Sequence, residues 1–266
     1  MRLTLFLVLL LVFWVPLATP IYLLGRDPNA VSIITMLLLY ATFIFLLRLW
    51  GKHVYHQRRI LQHYGLERTS RNAIALLQGL GIGVVLVLSL FVVEGVFGWL
   101  VWLPVPASLW RIVVEGAIVA IAVGFAEELL FRGWLLDELQ RDYRPPVALC
   151  VNATLFALLH FIKPLPDILR TLPQFPALVV LGLILVWAKR LCNQRLGLAI
   201  GLHAGLIWGY YIINVGQLIQ YSGEVPDWIT GVDRNPLAGI MGLLFLGVLA
   251  LWMRQRLNFL ARRKPV

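Results

Sequence analysis

The stretch Ala126-Glu127-Glu128-Leu129-Leu130-Phe131-Arg132-Gly133-Trp134 sets three charged side chains inside a long apolar run. Each charge costs about 2.5–3.5 kcal/mol at bilayer depth, so such a cluster survives only if its members pair or perform chemistry. On a helix Glu128 and Arg132 share a face, with the acid first, the favourable order for an ion pair. Glu127 is turned about 100° away and is left without a local partner. A lone carboxylate beside a self-neutralised pair suits a general base or a metal ligand.

Of five histidines, two lie in apolar runs. His160 sits in Asn152-Ala153-Thr154-Leu155-Phe156-Ala157-Leu158-Leu159-His160-Phe161, and His203 in Gly201-Leu202-His203-Ala204-Gly205. A membrane histidine marks a functional site unless it only joins two helices by a hydrogen bond. His53, His56 and His63 fall in a polar, basic segment and read as surface residues at headgroup level. Counted from the expected helix ends, Glu127 lies ~15 Å, His203 ~9 Å and His160 ~20 Å from one membrane face. Tilted helices can bring all three to one level. Two histidines and a glutamate are the ligands of a hydrolytic zinc site. They equally make a general base with donors for an oxyanion. Either set would activate water against a carbonyl.

The elements that must position these residues are membrane helices. The chain has 266 residues, 60% of them hydrophobic and only 14% charged, with a mean hydropathy of +0.84. A soluble core cannot hide that much apolar surface, so the expected fold is an all-α polytopic bundle of about eight transmembrane helices. The apolar runs are expected at 3–24, 31–50, 73–98, 109–139, 147–162, 177–192, 197–219 and 236–253. The first is read as a retained helix, because Pro16 and Pro20 interrupt the region where a leader would be cleaved. Residues 1–72 form two N-terminal helices and a basic segment, 73–253 the core, and 254–266 a basic tail. A Trp- and Pro-rich loop is expected near 99–110, and a Pro-rich loop over 163–176.

The net charge of +10 does not point to nucleic acid. Seventeen Lys and Arg fall on the side holding both termini and five on the other, leaving Arg132 in the motif. That bias places both termini in the cytoplasm, in a plasma membrane or its internal equivalent. Gly79-x-x-x-Gly83 and the series Gly201, Gly205, Gly209 suit close helix packing. Glu94 and Glu115 read as snorkelling or capping residues near helix ends. Trp134 and Trp208 read as packing residues. Cys150 and Cys192 imply no disulfide.

Glu127-Glu128-x-x-x-Arg132, Phe156-x-x-x-His160 and the later His203 together resemble the CPBP family. That family comprises the CAAX proteases and bacteriocin-processing (Abi) proteins, including the type II CAAX prenyl endopeptidases. The resemblance covers about 110–215. It implies a membrane protease that cuts peptide bonds of membrane-anchored or lipidated substrates, prenylated CAAX-type termini being the best-known target. It assigns Glu127 to water activation with help from His160. Glu128 and Arg132 hold each other and shape the site, and His203 faces the oxyanion or binds metal. If Zn2+ is used, Glu127, His160 and His203 are the ligands; a metal-free glutamate mechanism is the other option. The family often carries Asn or Asp four residues after the last histidine, where this chain has Ile207. That departure leaves open a weakly catalytic or inactive scaffold or immunity protein. A proton-coupled transporter is a third reading, weakened by the lack of an inverted repeat.

Overall fold

A segment surrounded by lipid must satisfy its own backbone, and a helix does so internally. The computed structural model describes residues 2–262. Among them seven helices are long and apolar enough to cross a membrane. The chain is an all-α integral membrane protein whose contacts divide into two compact units, Met1–His63 and Tyr64–Val266.

In the first unit α1 (Arg2–Leu24) and α2 (Pro28–His53) form a hairpin, followed by the single turn α3 (Ile60–His63). Asp27 caps α2 by accepting from the Asn29 N–H at 2.9 Å. Pro28 starts the helix, where its missing N–H leaves no bond unmade. Phe6 meets Phe43 and Trp50 edge-on at 6.0 and 5.5 Å. His53, His56 and His63 are exposed.

The second unit contains α4 (Ser70–Val96), α5 (Leu109–Glu128), a π-helical segment (Leu129–Leu135) and α6 (Leu136–Asp142), the last three in one continuous rod. Then come α7 (Pro145–Leu159), α8 (Leu165–Thr171), α9 (Phe175–Leu191), α10 (Gly197–Val215), the turn α11 (Asp227–Thr230) and α12 (Ile240–Arg262). The most extensive helix contact is α4 on α10. It is backbone against backbone. A Cβ on Gly79 or Gly83 would strike the carbonyls of Leu198 or Leu202, and one on Gly201 or Gly205 those of Leu76 or Leu80. Small residues allow this approach, which supplies the dispersion that replaces a hydrophobic drive in lipid.

Several expectations need adjustment. The fifth expected crossing, 147–162, is α7, at 15 residues, or ~22 Å, short of the ~30 Å hydrocarbon core. The expected loop over 163–176 is largely helical: α8, a 3-10 turn (Leu172–Gln174) and the start of α9 fill it. The Trp-rich loop contributes β1 (Leu100–Trp102), paired antiparallel with β2 (Ile219–Tyr221), Leu100 opposite Tyr221. α12 continues through Arg262 into the expected tail, and 263–266 lie outside the described residues. Glu94 does not snorkel: it is fully buried and accepts from the Tyr221 hydroxyl at 3.3 Å. Burial pushes the Tyr221 pKa up, keeping that hydroxyl protonated as a donor. Glu115 pairs with Arg111 at 2.6 Å on the surface. Cys150 and Cys192 are free thiols.

Candidate active site

Three helices supply the chemistry-bearing side chains. α5 carries Glu127 and Glu128, α10 carries His203, and His160 stands just past the end of α7. Gly124, one turn before Glu127, lets α5 lie close to α10. A Cβ there would be 3.1 Å from the Ala204 nitrogen and the Ile200 carbonyl. That approach brings the two glutamates to His203.

Glu128 is fully buried, and one of its oxygens serves two partners. Oε1 accepts from Arg132 Nη1 at 2.8 Å and lies 2.9 Å from His203 Nδ1. The i, i+4 pair read from the sequence therefore forms, but it also orients a histidine from another helix. Because Glu128 and Arg132 compensate one another, His203 is bound to a neutralised pair rather than a bare charge. Arg132 is itself fully buried. Its Nη2 donates to the Gly182 carbonyl at 3.3 Å, and its guanidinium carbon lies 4.2 Å from the Phe156 ring centroid, a favourable cation–π placement.

Glu127 points elsewhere, as its one-residue offset requires. Its side chain keeps 30% of its exposure, and its Oε2 is 3.9 Å from His203 Nε2. That is too far for a hydrogen bond. Glu127 Oε2 has no hydrogen-bond partner among the described residues. One imidazole thus stands between the two acids: Nδ1 meets the buried Glu128, and Nε2 faces the part-exposed Glu127 across its buried Oε2.

His160 is placed differently from the expectation. The run was expected to stay helical to 162, yet α7 ends at Leu159 and His160 is its C-cap. It is exposed, and its Nδ1 lies 2.7 Å from the Phe156 carbonyl. A carbonyl only accepts, so Nδ1 carries the proton and Nε2 is left for other work. Phe156 links the parts: its ring is 4.7 Å from that of His160 and 5.8 Å from that of His203. Sequence reasoning took Phe156 only as a motif letter. Its full burial among two imidazoles and a guanidinium shows why an aromatic ring stands there.

Among the described residues, no three His, Cys, Asp or Glu side chains converge to hold a metal ion. Glu127, His160 and His203 as placed do not fit a zinc centre. Trp134 is buried, and Trp208 donates to the Val113 carbonyl at 2.8 Å, both acting as packing residues.

Residues 106–209 match the family model described as "Type II CAAX prenyl endopeptidase Rce1-like". No curated protein and no solved structure matches the chain. The matched span takes in Glu127, Glu128, Arg132, His160 and His203. The match supports an intramembrane endopeptidase in general, and with it membrane-associated substrates.

Proposed function

We propose that this protein hydrolyses peptide bonds of membrane-anchored, lipidated substrates, using a water activated by Glu127. The observation that carries this is the gap between Glu127 Oε2 and His203 Nε2, 3.9 Å wide. A water at ~2.8 Å from each is an ordinary hydrogen-bonded geometry. It would lie beside a carboxylate oxygen that has no other partner.

In the proposed reaction Glu127 takes a proton from that water as its oxygen attacks the peptide carbonyl. The carbonyl π electrons move to oxygen, giving a tetrahedral oxyanion. Each ring is held as its Nδ1–H tautomer by a fixed acceptor, Glu128 for His203 and the Phe156 carbonyl for His160, so Nε2 is an acceptor: that of His203 takes the second O–H of the water and aims the water's lone pair at the carbonyl. Glu127 then returns its proton to the leaving nitrogen as the C–N bond breaks. The products are a carboxylic acid and an amine, which exchange the water's second proton to leave a carboxylate and an ammonium, and no step passes through a metal. Arg132 holds the Glu128 charge in place so that His203 keeps one tautomer.

We further propose the orientation with both termini cytoplasmic, which needs eight crossings and therefore needs α7 to complete one across a locally thinned bilayer. α10 then starts at the cytoplasmic face, and His203 lies ~9 Å from that end. A lipidated chain terminus lying in the cytoplasmic leaflet reaches that depth.

A second reading, a scaffold or immunity protein without turnover, is favoured by Ile207, which offers no polar group one turn beyond His203. One experiment separates the two. Purified protein in liposomes is given matched prenylated and unprenylated peptides, and products are identified by mass. Cleavage at one bond, faster for the prenylated peptide, supports the protease. Intact peptides of both kinds, from well-folded protein, favour the scaffold.

A further inference from the structure

We infer that Lys189 and Asn152 are positioning residues that hold the π-helical turn on which the site's register depends. The inference rests on the endopeptidase reading above.

The chain between Leu129 and Leu135 closes i→i+5 hydrogen bonds. A π segment of this kind inserts one residue into an α-helix, leaves carbonyls without their usual partners, and recurs at functional sites. Here two successive carbonyls find donors on other helices. The Phe131 carbonyl takes the Leu136 N–H within the turn and also Asn152 Nδ2 at 2.8 Å. The Arg132 carbonyl takes Lys189 Nζ at 2.6 Å. Asn152 is fully buried and Lys189 is 5% exposed. A lysine so deep in the unit is costly unless its head group is needed where it is.

The two donors come from helices that are themselves locked together. A Cβ on Gly182 in α9 would lie 2.8 Å from the Ala153 Cα in α7, beside Asn152. Gly182 and Lys189 are seven residues apart, on one face of α9. From that face α9 holds Arg132 twice: the Gly182 carbonyl takes the guanidinium, and Lys189 takes the backbone carbonyl. Without the extra residue in the turn, everything beyond it would rotate by about 100° relative to Glu127 and Glu128. The i, i+4 spacing alone would keep Arg132 on the Glu128 face, but its backbone would leave Lys189 and its guanidinium would leave Gly182, so the turn sets how that counter-charge is held beside Glu128 and His203. Holding the π turn is therefore holding the tautomer and position of the histidine, through residues that touch neither water nor substrate.

The test uses full-length protein in liposomes with Lys189→Met, Lys189→Arg and Asn152→Leu. Three quantities are read: kcat and KM on the cleaved peptide, thermal midpoint, and amide exchange across 129–136 by mass spectrometry. Lys189→Met removes a buried charge while keeping the shape, so a merely structural lysine would leave stability equal or higher and turnover unchanged. The positioning role predicts kcat lower by about 10- to 100-fold, as for a displacement near 1 Å. KM should stay within about twofold, amide exchange across 129–136 should accelerate, and Lys189→Arg should restore part of kcat. Asn152→Leu should give the same pattern more weakly. If the parent cleaves nothing, the endopeptidase reading fails, while amide exchange still tests the turn. Unchanged exchange over 129–136 in both Lys189→Met and Asn152→Leu overturns the inference, as does unchanged kcat in an active parent background.

Discussion

Glu128 Oε1 lies 2.9 Å from His203 Nδ1 across the contact between α5 and α10. This bond turns a pair that looks self-sufficient along one helix into the support of a histidine on another. It divides the two adjacent acids by role. Glu128 is buried and orients, while Glu127 is part-exposed and turns its unpartnered, buried Oε2 to the far nitrogen of the same ring.

Glu128→Gln follows from that division. The amide keeps the shape but can donate where the carboxylate could only accept, so His203 samples the wrong tautomer. Turnover should fall by about 10²- to 10⁴-fold, the range for losing a tautomer-fixing acid. Arg132 also loses its counter-charge, and stability should drop by about 3–5 kcal/mol. Peptide kinetics and a denaturant titration in detergent read the two effects separately.

Ile207 lies one turn beyond His203, on the same face of α10. If the oxyanion is short of a donor there, Ile207→Asn should raise kcat by about tenfold. The gain is smaller than the 10²- to 10³-fold cost of deleting a preorganised donor, because nothing prearranges the new amide. Steady-state kinetics of the variant against its parent decides the point.

The glycine contact between α4 and α10 makes a stability prediction. A methyl at Gly201 would strike the Leu76 carbonyl, a backbone atom that cannot rotate away. Gly201→Ala should therefore cost about 1–3 kcal/mol through overpacking. Gly81→Ala faces open space and should be near neutral. Thermal midpoints of the two variants in one detergent provide the comparison.

The mechanism proposed draws on protein groups alone. Incubation with EDTA or 1,10-phenanthroline, followed by removal of the chelator, should leave the cleavage rate within about twofold of the untreated protein. A rate lost to chelation and recovered with zinc would require Glu127, His160 and His203 to rearrange into a ligand set.

The sequence displays this architecture unevenly, for physical reasons. Hydropathic length reveals spans such as α4 and α10, because lipid demands continuous apolar helix. The glycine spacing on both helices announces their contact. The helical content of 163–176 is concealed by Pro166, Pro173 and Pro176, which suggest a loop but here sit in the first positions of helices or 3-10 turns. Proline is favoured there because its missing N–H is unneeded. The π turn is hidden more deeply, since hydropathy carries no record of which carbonyl an amide chooses. For the same reason Lys189 reads as a charge marking a cytoplasmic helix end, although its ammonium reaches inward to the Arg132 carbonyl. Asn152, recognisable as a membrane asparagine, gives no sign that it serves the Phe131 carbonyl. The proximity of Glu127 to His203 follows from residue type and depth; the turning of His160 onto its own helix end does not.

The carboxylate of Glu127 is the group on which the proposed cleavage depends. The decisive measurement is single-turnover cleavage of a prenylated peptide by Glu127→Gln in liposomes, beside the parent enzyme and with binding measured independently. The predicted result is bond cleavage slower by at least about 10³-fold, with peptide affinity within about twofold, as expected when an interaction made only in the transition state is removed. Cleavage by Glu127→Gln at the parent rate would contradict the account, because no water held between that side chain and His203 could then be the nucleophile.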